Sequence, residues 1–166
     1  MVKYAIGSDI AVLEPAELSE RLEAVLRKAM PWLVTISEAE ASVPERAGKW
    51  SGKQVIGHLI DSAANNHQRI VRAQLEESPS LPGYDGEKWV EVQAYQDREW
   101  AEVIAVWEGF NRHLLAAARA VPLDGWARTC TVAGSEPMTL QFLLEDYISH
   151  MRGHLEHMKV KNDDLA

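Results

Sequence analysis

The stretch SGKQVIGHLIDSAANNHQRIVRAQLE, residues 51–76, decides the fold class. Val55, Ile56, Leu59, Ile60, Ala63 and Ile70 recur at the three- and four-residue spacing that lays one apolar stripe along a helix. Ser51 followed three residues later by Gln54 forms a reciprocal cap, each side chain satisfying a backbone N–H that the first turn leaves unpaired. Apart from Gly57 nothing weakens the helix before Glu76, so a single long helix is predicted. His58 falls inside its apolar stripe, on the side where a bundle helix meets its neighbours.

Three further segments share this periodicity. The first follows Pro15, a residue suited to the opening turn, and repeats Leu18, Leu22, Val25, Leu26 and Ala29 until Pro31, where a kink or break is expected before Trp32, Leu33 and Ile36. The third runs from near Asp97 to Ala120, with Trp100, Val103, Ile104, Trp107, Phe110, Leu114 and Leu115 as its stripe. The fourth starts after Pro137 with Thr139 as its cap and carries Phe142, Leu143, Tyr147, Met151 and Leu155. The connections are long. ESPSLPGYDGEKW holds Pro79, Pro82, Gly83 and Gly86 and excludes a long regular element, while LDGWARTCTVAGSEP reads as irregular. The expectation is an all-α four-helix bundle with long inter-helix loops, in one domain over residues 1–166. Such loops leave the topology open, because only short ones force neighbours to be antiparallel.

Composition narrows the function classes. Acidic residues outnumber basic ones, 25 to 17, giving a net charge of −8, and the basic residues are scattered, which argues against nucleic acid as a partner. No apolar run is long enough to cross a bilayer and the N-terminus lacks the layout of a signal peptide, so no membrane partner is expected. The one cysteine, Cys130, excludes an internal disulfide and suits a reducing, cytoplasmic setting. Six tryptophans suit either a buried core or a homodimer interface.

The histidines carry the chemistry. His150 and His154 are four residues apart, so their rings leave one helical face a turn apart, a spacing that lets two imidazoles bind one metal ion. His58 is the candidate third ligand, although a single histidine on an apolar face is more often a hydrogen-bonded core residue. His67, nine residues on, projects from the opposite side of the helix and is left out. His157, three residues after His154, could replace a ligand or carry a proton, its ordinary titration lying near neutrality. Asp61, three after His58, and Asp146, four before His150, could each orient a ligand ring by accepting its second N–H.

Taken together, KWSGKQVIGHLIDSAANNHQRIVRAQ (49–74), LPGYDGEKWVEVQAYQDREW (81–100) and LEDYISHMRGHLEHM (144–158) resemble the DinB-like superfamily, above all in the HLxD of His58 to Asp61 and the HxxxH of His150 to His154. The resemblance implies a four-helix bundle holding a divalent metal ion, zinc or nickel in various members, on one histidine of the second helix and two of the fourth. Those positions correspond to His58, His150 and His154. Many relatives have glutamine where this chain has His157, and the first fourteen residues match no motif of the family. The superfamily includes thiol-dependent enzymes similar to bacillithiol S-transferases and mycothiol-dependent maleylpyruvate isomerase, together with proteins described as metal-dependent hydrolases.

Three functions are open on this reading. In the first, a metal ion on three neutral imidazoles with a free position activates a low-molecular-weight thiol cosubstrate, which attacks a small-molecule electrophile. Tyr84 and Trp89 could then line the mouth, although they also suit anchors that fold their loop onto the bundle, and Cys130 takes part only if its loop reaches the site. In the second, the same ligands activate water for hydrolysis, which needs a carboxylate base beside them. In the third, His157 closes a tetrahedral structural site and the bundle is not catalytic.

Overall fold

The computed structural model describes residues 15–163, with side chains from 16 to 159; the fourteen N-terminal residues without a motif lie outside it. Six helices occur among the described residues: α1 (Pro15–Leu33), α2 (Glu38–Ser42), α3 (Gly52–Leu75), α4 (Gly86–Val92), α5 (Trp100–Arg119) and α6 (Leu140–Asp163). The four long ones, α1, α3, α5 and α6, form the bundle. Their apolar stripes meet in one core, with Leu18, Leu22 and Leu33 from α1, Ile56, Leu59 and Ile70 from α3, Trp107 and Leu114 from α5, and Leu144, Tyr147 and Met151 from α6 all essentially removed from solvent.

Neighbour relations fix how the chain travels. α1 packs on α5 and α6, and α3 also packs on α5 and α6, so the order around the bundle is α1, α5, α3, α6. The consecutive long helices α1 and α3 therefore occupy opposite corners, as do α5 and α6. The two diagonal steps run through the connections 34–51 and 120–139. The consequence for the site is direct: α6, the last helix, lies beside α3 and brings His150 and His154 to His58.

Local chemistry sets the helix ends. The Ser51–Gln54 cap forms as expected, Ser51 Oγ accepting from the Gln54 amide and Gln54 Oε1 from the Ser51 amide. Thr139 Oγ1 accepts the Phe142 amide at the start of α6. Pro31 falls in the last turn of α1 and does not break it. The helix ends two residues later. A second reciprocal cap, Ser37 with Glu40, opens the short α2. From α2, the Glu38 carboxylate pairs with the buried Lys53 ammonium of α3 and accepts the Trp100 amide at 2.7 Å, supplying the cap that the first turn of α5 lacks. Trp100 Nε1 donates to the Leu33 carbonyl at 3.2 Å, closing the end of α1.

The segment 123–137, expected to be irregular, contains structure. A 3-10 turn (Leu123–Ala127) leads into the central strand of a small three-stranded sheet, made of β1 (Ser80–Leu81), β2 (Thr129–Val132) and β3 (Met138–Thr139) in the order β1-β2-β3. β1 pairs with β2 in parallel, Ser80 opposite Thr131, and β2 with β3 antiparallel, Cys130 opposite Met138. The hairpin between β2 and β3 passes through Ala133 and Gly134 at positive φ, 53° and 75°.

Candidate metal centre

His58 sits on the face of α3 that meets α6, between Ile56 and the Leu59–Ile60 pair, and is 9% exposed. Its Nε2 stands 3.0 Å from Nε2 of His150. The ring centroids of His58 lie 5.1 Å from those of both His150 and His154, which are themselves 4.6 Å apart. One ligand nitrogen from each ring falls within 4.8 Å of the other two, and among the described residues no carboxylate or thiol joins the group. Thus the three histidines singled out in the sequence converge from two helices 92 residues apart.

The donor set fits a metal ion. Two nitrogens bound tetrahedrally at about 2.0–2.1 Å from one ion stand roughly 3.3 Å apart, close to the 3.0 Å seen between His58 and His150. All three rings are held neutral, the form that binds metal. Burial, then the neighbouring His150 and His154, pushes His58 down to about 4; burial, then His150 and His157, does the same to His154; burial alone lowers His150.

Around His58 the packing is tight. Trp50 lies with its ring centroid 5.0 Å away. Gly86, the first residue of α4, approaches so closely that a Cβ there would stand 3.0 Å from His58 Cε1 and 3.1 Å from Nδ1. The same point is 3.8 Å from Tyr84 Cε2, so Tyr84 flanks the imidazole while also packing on Trp89, 5.0 Å between centroids. Trp89 remains 39% exposed at the outer edge of this wall. Behind it, Gly57 leaves room for the ring of Tyr95, which is 1% exposed.

The expected orienting carboxylates have other partners. Asp61 is buried, but its Oδ1 accepts from Tyr95 Oη at 2.7 Å and Gln93 Nε2 at 2.6 Å, not from His58. His58 Nδ1 and Asp61 Oδ2 are each buried without a hydrogen-bond partner. Burial raises the Asp61 carboxyl above its ordinary range, against the lowering effect of those two donors. The three-residue spacing would allow a bond to the His58 ring, but Gln93 and Tyr95, from the segment after α4, hold the carboxylate instead. Asp146 instead lines a groove of about 1030 Å³ between α1 and α6, with Phe142, Glu145 and Arg152. His157 turns outward, its side chain 76% exposed and its Nε2 3.3 Å from Glu45 Oε2. Cys130 is fully buried on β2, and burial raises its thiol.

Sequence reasoning missed Trp50, Gly86 and the Asp61–Tyr95–Gln93 knot. Gln93 and Tyr95 lie more than 30 residues from Asp61, and no local spacing links them.

A family model described as the DinB superfamily matches residues 21–158. The chain belongs to the DinB superfamily. It is 22% identical over 158 residues, 95% of this chain and 91% of the relative, to the protein named "Putative metal-dependent hydrolase OB0413" of Oceanobacillus iheyensis. It is 25% identical over 138 residues, 82% and 78% of the two chains, to the similarly named YfiT of Bacillus subtilis. The solved structure of YfiT, described as a probable metal-dependent hydrolase with an unusual four-helix bundle topology, superposes with a TM-score of 0.85 over 98% of this chain and 94% of its own, at 22% identity. A mycothiol-dependent maleylpyruvate isomerase superposes with a TM-score of 0.71 over 86% of this chain and 60% of that one, at 14% identity. The shared fold is the DinB-like four-helix bundle.

Proposed function

We propose that this DinB-like chain is a metal-dependent enzyme that activates a low-molecular-weight thiol for transfer to a small-molecule electrophile, with His58, His150 and His154 holding the ion, zinc or nickel. The observation that favours a thiol over water is the absence of a carboxylate from the histidine cluster among the described residues. Hydrolysis by an activated water benefits from a positioned base, and of the two carboxylates expected beside the ligands, Asp61 is engaged with Tyr95 and Gln93 and Asp146 lines the α1–α6 groove. A thiol brought to such a centre is deprotonated outright, which is the chemistry the ion supplies. Transfer would form a bond from sulfur to the electrophilic carbon, with the leaving group departing with the bonding pair and the thiol proton going to solvent.

The protein's own residues do the rest. The three imidazoles would donate as neutral ligands, and Trp50 and Gly86 pack against the His58 ring. Trp89 and Tyr84 offer an aromatic wall to the substrate at the outer edge. A hydrolase is the second reading, favoured by the names of the relatives of this chain.

The test has two stages. Metal analysis of untagged protein should find one tightly held ion per chain, lost in His58→Ala and His150→Ala. S-conjugate formation with a panel of low-molecular-weight thiols is then set against ester and amide hydrolysis. Thiol-dependent conjugation absent from the His150→Ala variant supports the proposal, whereas thiol-independent hydrolysis transfers support to the second reading. A tight ion with neither activity, or no tight ion, overturns both.

A further inference from the structure

Two histidines outside the cluster meet on another face of the bundle. His67, on α3, projects away from His58, and its ring centroid lies 4.6 Å from that of His113 on α5, with the rings inclined at 39°. Phe110 closes one side, edge-on to both rings at 6.0 and 6.3 Å. His67 is half-buried and His113 exposed, so the pair opens to water. The candidate metal centre calibrates the spacing: His150 and His154 have the same 4.6 Å separation, and His58 and His150, at 5.1 Å, present nitrogens 3.0 Å apart.

We propose that His67 and His113 form a second, two-histidine chelate for a divalent transition-metal cation, on the outer face of the α3–α5 pair. The argument is geometric and chemical. α3 and α5 are direct neighbours, and they bring the two ring centroids to 4.6 Å, a separation within the span of two imidazoles that share one ion. No third side-chain donor joins them among the described residues, so water completes the coordination. Burial and the nearness of His113 lower the titration of His67, which favours the neutral form that binds metal. With two protein ligands instead of three, the ion binds more weakly and exchanges faster than at the centre. Imidazole donors favour copper, nickel and zinc over magnesium or calcium, and among the first-row ions copper binds most strongly.

Zinc and copper(II) titrations of the intact chain test this, each with His113→Gln, His67→Gln and His150→Ala. His113 is exposed on a helix surface, so His113→Gln preserves the fold, as its Tm without metal checks. The expected result is two classes of site. The weaker one loses affinity at least tenfold in either glutamine variant and survives in His150→Ala, and copper held there shows nitrogen coupling in electron paramagnetic resonance that either glutamine variant removes. A weak site whose affinity changes less than twofold in both variants, or the absence of any weak site in the intact chain, overturns the proposal. The tight centre is read separately through His150→Ala, so either site can fail without the other.

Discussion

Gly57→Ala sets two forces against each other at the foot of the candidate metal centre. Intrinsic helix propensity alone predicts that alanine in the middle of α3 stabilises the chain by about 1 kcal/mol. The structure predicts the opposite sign. A Cβ at residue 57 would stand 2.2 Å from both Cγ and Cδ2 of Tyr95, a ring that is 1% exposed and has nowhere to swing. To restore ordinary contact the ring must retreat by roughly 1.3–1.8 Å, enough to break its 2.7 Å bond to Asp61. Overpacking of this kind costs about 1–3 kcal/mol and a lost hydrogen bond to a charged group about 1.5–3 kcal/mol. Set against the propensity gain, the net loss is about 3 kcal/mol, a fall in Tm of roughly 6–12 °C for a chain of this size. Chemical and thermal denaturation of the metal-free protein measure it. In a Tyr95→Ala background the clash is gone and the same substitution should become neutral or stabilising, which a double-mutant cycle reads directly. An unchanged or raised Tm for Gly57→Ala alone would refute the steric account.

Asp61→Ala strands the Tyr95 hydroxyl and the Gln93 amide and should cost about 1–3 kcal/mol in denaturant, whereas Asp61→Asn keeps an acceptor at Oδ1 and should cost less. Gly86→Ala crowds His58 at 3.0–3.1 Å and should weaken metal binding by about tenfold in a chelator competition, the scale seen when groups that orient a ligand are disturbed, while leaving the helical circular dichroism intact. In the metal-free chain His58, His150 and His154 titrate below the ordinary histidine value of 6.5, His58 and His154 at about 4, so the unfolded state binds more protons than the folded one. Their contribution to stability is therefore present above pH 6.5 and lost as pH falls towards 4; Tm measured in chelator should drop across that window, and His154→Gln should flatten the drop. Because burial raises the Cys130 thiol and hides it, a thiol reagent should label it only on unfolding, and labelling at the rate of a free thiol would contradict its position on β2.

The parts of this architecture that the sequence revealed are those written in local periodicity and caps. Ser51 with Gln54, Thr139, and the stripes from Leu18 to Leu155 each state their own helix. The pairing of His150 with His154 is local in the same sense, one turn on one face. What the residues did not disclose was relational. That α1 and α3 stand at opposite corners follows from packing among four stripes, and no single stripe records its neighbour. Asp61 illustrates the limit: its spacing from His58 suits a bond to the ring, yet Tyr95 and Gln93 claim it from across a loop. The strands were hidden because two- and four-residue segments give too short an alternation to read. The Ser37–Glu40 cap went unread, because the five-residue α2 that it opens is too short to announce itself by periodicity.

The path of the chain gives the histidine cluster a role beyond chemistry. His58 comes from α3 and His150 and His154 from α6, so the pocket exists only after α6 has docked into its corner. An ion seated there favours the docked chain over every partly assembled form, by an amount that grows with the logarithm of its free concentration. Occupancy would then act as a latch on the C-terminal helix, and a cell short of the metal would hold more of this protein ajar.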